Sequence, residues 1–92
     1  MRIDLWLWRT RLAKSRALAA SLVAAGNVRL VRRGRARRLE KPSAEIEPGD
    51  AIVLAARTGV RAVKVLALPA RRGPAAEAAR HYGELDDGGG LA

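Results

Sequence analysis

The sequence predicts an α+β domain: two N-terminal helices, a run of strands behind them, and a short C-terminal helix followed by a flexible tail. Three observations predict it. Up to Ala25, apolar residues recur every three or four positions between residues suited to capping. From Val28 onward the spacing changes to alternation, with Gly and Pro at the breaks. The 92 residues, 49% of them hydrophobic, suffice for one thin core and not for two domains.

Asp4 precedes Leu5-Trp6-Leu7-Trp8, and its carboxylate is expected to cap a first helix running to about Ala13. Leu5, Trp8 and Leu12 fall at i, i+3 and i+7 as an inward stripe, which leaves Arg9 and Arg11 toward solvent. Trp6 and Trp8 read as core rather than as a base-stacking platform, because Phe is absent and Tyr82 is remote. Ser15 suits the N-cap of a second helix from about Arg16 to Ala25, with Leu18, Leu22 and Val23 on its core face. Gly26 then supplies the left-handed residue that ends it. The pair makes an αα-hairpin or a helix-turn-helix.

Val28-Arg29-Leu30-Val31 alternates as a strand, and Arg32-Arg33-Gly34-Arg35 reads as a turn or loop. Residues 36–41 are too basic for a core. Glu47-Pro48-Gly49-Asp50 carries the signature of a type II turn, with Pro at i+1 and Gly at i+2. Strands are expected over 51–55 and 60–68, forming a hairpin punctuated by Thr58-Gly59 and closed by Pro69. Pro74 suits the first turn of an exposed helix over 75–82, and Asp86-Asp87-Gly88-Gly89-Gly90 reads as a flexible end.

Composition narrows the chemistry. With no Cys and one His, disulfides, thiol catalysis and nearly every metal constellation drop out, so no metal or cofactor is expected. His81 has neither a second His nor a catalytic Ser beside it and reads as an exposed helical residue. Asp86 and Asp87 lie on a tail that holds no catalytic geometry. The expectation is therefore a protein that is not an enzyme and has no small-molecule substrate. No run of 18 apolar residues occurs and Met1-Arg2-Ile3-Asp4 opens no leader, so the reading is cytoplasmic, with no membrane partner.

Charge is the strongest functional signal. The net charge is +9, but residues 1–41 carry 12 basic and 2 acidic residues, a net of +10, while residues 42–92 carry 6 and 7, a net of −1. A polyanion-binding surface needs such segregation, since each neutralised phosphate releases condensed counterions. Two constellations stand out. Arg9, Arg11, Lys14, Ser15 and Arg16 surround the start of the second helix, where free amides and the positive dipole end favour a phosphate. Arg32, Arg33, Arg35, Arg37 and Arg38, with Arg29 upstream, make a dense cluster whose one nearby acid is Glu40, so a bound polyanion is the expected neutraliser. Arg2 and Lys41 complete the basic half.

The pattern Arg2-x-Asp4-x-x-Leu7-Trp8-x-x-Arg11-x-x-Lys14-Ser15-Arg16-x-Leu18-Ala19, followed by Gly26-x-Val28-Arg29-Leu30, resembles the small RNA-binding domain named after ribosomal protein S-four. It most resembles the bacterial heat-shock protein fifteen group, in which that domain stands nearly alone with a basic extension. Lys41-Pro42-Ser43 ahead of Pro48-Gly49-Asp50, and Arg71-Arg72-Gly73-Pro74-Ala75 leading to Tyr82, extend the match to about residue 84. The resemblance implies two helices packed on a small antiparallel sheet, a domain over 1–68 and an extension over 69–92. It also implies binding to structured RNA: ribosomal RNA of the large subunit, in blocked subunits that carry a nascent chain attached to transfer RNA. Arg2, Arg11, Lys14, Ser15 and Arg16 match the basic helical face, and Arg29 a basic strand position. Two departures stand out. Arg33-Gly34 and extra residues through Leu39 replace a short Asn-Gly connection, and Leu5 stands where Lys is common.

The expectation is thus a monomeric RNA-binding module contacting about five phosphates. A DNA-binding helix-turn-helix regulator is the competing class, but its recognition helix would offer only Arg16 and Ser21 in an alanine-rich stretch. A detached module of an RNA-modifying enzyme is the third, and residues beyond 67 are too few for a catalytic domain.

Overall fold

The computed structural model describes residues 1–57 and 59–85, so the expected flexible end at 86–90 lies outside the described residues. Helices α1 (Ile3–Arg9) and α2 (Arg16–Ala24) precede strands β1 (Val28–Arg32), β2 (Arg35–Arg38), β3 (Ala51–Ala56) and β4 (Gly59–Val65). Helix α3 (Ala75–Ala78), a single 3-10 turn (Ala79–His81) and β5 (Tyr82–Leu85) follow. The five strands form one antiparallel sheet in the order β2-β1-β3-β4-β5. The expected α+β class is the one observed.

Register explains the layering. Leu30 pairs with Ile52, Ile52 with Val63, and Val28 with Leu54, which puts all of them on one face of the sheet. That face is buried with Ile3, Trp6 and Leu7 of α1 and Ala19 and Val23 of α2. The two helices therefore cover one side of the sheet, as the resemblance implies, and the opposite side carries Arg29, Val31 and Val53.

The first helix differs from its expected form. Arg2, not Asp4, occupies the N-cap and makes no side-chain cap. Asp4 sits inside the first turn, accepting from the Leu5 amide at 2.7 Å and from Arg2 at 3.1 and 2.9 Å. The helix ends at Arg9 instead of Ala13 because Arg11 adopts a left-handed conformation, φ 63°. The inward stripe is Ile3, Trp6, Leu7 and Thr10, and Leu5, Trp8 and Leu12 are only partly buried. Thr10 is held by its hydroxyl, which donates to the Trp6 carbonyl at 2.7 Å.

In α2 the Ser15 cap is present, its Oγ accepting from the Leu18 amide at 3.0 Å. Leu18, expected in the core, is 43% exposed, and Ala19 and Val23 make the contact instead. Small residues let the helix sit close to its neighbours. Gly26 takes φ 82° at the helix exit, and a Cβ there would stand 3.1 Å from Arg38 Cδ. Gly26→Ala is expected to lower stability by about 1–2 kcal/mol, read as a shift in the denaturant midpoint, because alanine resists the left-handed region and meets Arg38.

The segment over 36–38, expected outside regular structure, is the edge strand β2, exposed along its whole length. Arg33 (φ 52°) and Gly34 (φ 78°) form the two-residue turn that joins it to β1, a geometry matched to strand twist. The turn at 47–50 forms as expected: the Asp50 amide donates to the Glu47 carbonyl at 3.2 Å, with Gly49 at φ 98°. Strand β4 stops at Val65, and Leu66 and Leu68 are exposed beyond it. The helix expected over 75–82 lasts one turn, and Tyr82 instead starts β5, which pairs with β4 from Val65↔Tyr82 to Ala62↔Leu85.

The link over 66–74 is strapped to α1 by side chains reaching main-chain carbonyls. Trp6 Nε1 donates to Ala67 at 3.0 Å, Arg9 to Pro69 at 2.9 Å, Arg11 Nε to Gly73 at 2.7 Å, and Arg72 Nε back to Trp8 at 3.1 Å. The Arg72 guanidinium also lies 5.5 Å from the Trp8 ring centroid, a cation–π contact that completes the half-burial of that ring.

Candidate nucleic-acid interface

The structure sorts the predicted basic residues into two kinds. Arg2, Arg9, Arg11 and Arg32 have internal partners. Arg2 pairs with the buried Asp4, while Arg9 and Arg11 donate to the carbonyls of Pro69 and Gly73; Arg11 is exposed, as expected, and Arg9 is half-buried. Arg32 holds Asp50 in a bidentate pair at 2.8 and 2.7 Å, with Glu47 Oε1 3.6 Å away. Glu40 is therefore not the cluster's only acidic neighbour, because the turn at 47–50 folds back beneath the strand. Sequence distance concealed it.

This pair is structural. Asp50 also accepts from the Glu47 amide at 2.9 Å. Burial alone would raise its carboxyl, but the hydrogen bonds from Arg32 and Glu47 and the Arg32 charge hold it below its ordinary value of 3.8. The hydrogen bond to Asp50 correspondingly raises the Arg32 guanidinium above its usual range.

The other cations stand apart. Among the described residues, Lys14, Arg16, Arg29, Arg33, Arg35, Arg37, Arg38 and Lys41 enter no ion pair, and all are exposed. They fall into two groups, one at the N-terminus of α2 and one along the β1–β2 hairpin and the segment that leaves it. Lys14, Ser15 and Arg16 mark its N-terminus, where the helix dipole favours an anion; the Ser15 hydroxyl already accepts from Leu18 and keeps its proton to donate. Gly26 at the other end touches Arg38, the last residue of β2. The nine residues of α2 span about 14 Å between its two ends.

The second group is built by the β1–β2 hairpin. Arg29 and Arg38 face each other directly across the two strands, on the side away from the helices. Like charges opposed in this way are destabilising unless something neutralises them. Arg37 pairs with Leu30 and Arg35 with Arg32, so Arg35 and Arg37 lie on the opposite face of the hairpin. There Leu30, Arg32, Arg33, Arg35, Ala36 and Arg37 line a concavity of about 680 Å³. A neighbouring one of about 480 Å³ shares Arg37 and continues past Arg38, Leu39 and Glu40 to Lys41 and Ala44. A basic groove thus follows the outer edge of β2. The sequence displayed the charges, but only the register shows that they occupy two faces.

Away from this region, Arg61 pairs with Glu84 across the β4–β5 ladder and lies 5.5 Å from the Tyr82 ring centroid; the hydrogen bond to Glu84 raises the Arg61 guanidinium. His81, expected to be exposed, is half-buried, and its backbone carbonyl accepts from the Leu66 and Ala67 amides at 2.9 and 3.1 Å. Among the described residues, no helix is long and apolar enough to cross a membrane.

No protein-family model matches the chain. Heat shock protein 15 of Escherichia coli strains K12 and O157:H7 is 37% identical over 84 residues, which cover 91% of this chain. The trimeric structure of Vibrio cholerae Heat Shock Protein 15 superposes with a TM-score of 0.76 at 34% identity, over 91% of this chain and 80% of that one. The chain belongs to the Heat shock protein 15 family. Membership agrees with the resemblance carried by Arg2 to Ala19 and Gly26 to Leu30. The chain spans 59% of the length of the Escherichia coli Heat shock protein 15 sequences.

Proposed function

We propose that the chain is a non-enzymatic, cytoplasmic RNA-binding protein that engages structured RNA through backbone phosphates, foremost ribosomal RNA of the large subunit during stress or the rescue of stalled subunits. One observation carries this reading: of the twelve cations in residues 1–41, eight are exposed and enter no ion pair among the described residues, while Arg2, Arg9, Arg11 and Arg32 are bonded within the fold. Kinship with proteins named for heat shock supports the stress context. A-form RNA hides its major-groove base edges and displays phosphates and 2′-hydroxyls, which suits a surface rich in arginine and poor in exposed aromatics. The domain accordingly reads shape and charge before sequence.

The test is binding to a fragment of large-subunit ribosomal RNA across a salt series. With about five phosphates engaged, log K is expected to fall with log salt at a slope of roughly −3.5 to −4.5. Lys14→Ala combined with Arg16→Ala is expected to weaken binding about tenfold on every structured RNA and to make the slope shallower by about 1.4–1.8, with the melting temperature unchanged. A wild-type affinity that is flat in salt would refute the proposal.

A further inference from the structure

We propose that the free edge of β2 reads ribose 2′-hydroxyls in the minor groove of helical RNA, so that the main chain of Ala36 and Arg38, flanked by arginines on both faces, makes the domain prefer RNA over DNA. This specificity rests on the RNA-binding reading above. The Leu39 amide donates to the Val28 carbonyl at 2.9 Å, which makes Val28 and Leu39 a hydrogen-bonded pair. Pairs of this kind alternate in an antiparallel ladder, so Leu30–Arg37 and Arg32–Arg35 are also bonded, whereas Val31–Ala36 and Arg29–Arg38 are not. The N–H and C=O of Ala36 and Arg38 therefore point outward, about 6.6–6.8 Å apart.

β2 is the terminal strand of the sheet, and no other described main-chain group bonds to these two residues. A 2′-hydroxyl both donates and accepts, and each outward residue presents an acceptor and a donor side by side. The wide, shallow minor groove of A-form RNA displays these hydroxyls between two phosphate backbones. The hairpin has the matching cross-section: a polar spine with Arg35 and Arg37 on one flank and Arg29 and Arg38 on the other. The same charges deter a protein strand from pairing with this edge.

Anisotropy titration against three labelled duplexes of one sequence decides the matter: RNA, DNA, and 2′-O-methyl RNA, which keeps the A-form but loses the hydroxyl proton. The wild type is expected to bind the RNA duplex about fivefold more tightly than either of the others. Ala36→Pro deletes one outward donor at a position where an edge strand tolerates proline, so it is expected to melt like the wild type and to lose much of that preference. Arg35→Gln with Arg37→Gln is expected to weaken all three alike. Equal wild-type affinity for RNA and 2′-O-methyl RNA, or a folded Ala36→Pro variant with its preference intact, would overturn the inference while leaving RNA binding standing. Should that variant fold poorly, the wild-type comparison still decides. Binding to none of the three, nor to the ribosomal fragment, would remove the RNA-binding reading as well.

Discussion

Trp6→Ala is expected to cost about 3–5 kcal/mol, a large share of the roughly 5–15 kcal/mol that holds a domain of this size together. Trp6 is 0% exposed and is the largest fully buried side chain. It touches the sheet-facing core and, through Nε1, the Ala67 carbonyl at 3.0 Å. Removing it opens a cavity where α1, the sheet and the 66–74 strap meet, in a core too thin to close over the gap. Trp6→Phe keeps most of the volume and drops only the hydrogen bond, so its expected cost is about 1–2 kcal/mol. Trp8 remains in both variants as the fluorescent reporter of a urea titration. A loss below about 1 kcal/mol in Trp6→Ala would show that this junction is not the centre of the core.

Asp50→Ala is expected to cost about 2–4 kcal/mol and to leave RNA affinity unreduced. Asp50 has a side chain only 2% exposed, and it neutralises Arg32 while accepting from the Glu47 amide that closes the turn into β3. Its substitution leaves that amide without its side-chain acceptor. It also releases Arg32, which is 33% exposed, as one more cation beside the groove. Stability and binding therefore part company at this residue, whereas an RNA-contacting role for Arg32 in the native fold would couple them.

The pair has a pH signature as well. The folded carboxyl titrates below 3.8, so its contribution to stability is present above that pH and is lost as the pH falls through the lower folded value. The stability difference between wild type and Asp50→Ala should narrow below about pH 4 and stay constant toward neutrality. A difference that widens on acidification would contradict the assignment.

Much of the fold was legible where local chemistry rules. Ser15 capping α2, Gly26 at its exit, and the Pro48-Gly49 turn each need a backbone geometry that few residues supply, so residue type alone announces them. The extent of α1 was not legible. No Gly or Pro stops it, and the left-handed Arg11 is held by a bond to Gly73, 62 residues away. The same long-range strap gives Arg9 and Arg11 a bond within the fold that their position in the sequence does not announce. Strand β2 escaped notice because an edge strand with both faces in water needs no apolar alternation to mark it.

Sequence alone determined where the positive charge is concentrated, because the sign and crowding of charges along residues 1–41 are independent of how the chain folds. Which of those cations remain open to a ligand was settled by packing: a guanidinium's availability depends on whether a carbonyl or carboxylate from a distant segment reaches it first. Asp50 reaches Arg32, Pro69 reaches Arg9, and no described side chain forms an ion pair with Arg35 or Arg37. That difference arises from strand register and from the route of the 66–74 link, and neither is encoded within any short stretch of residues.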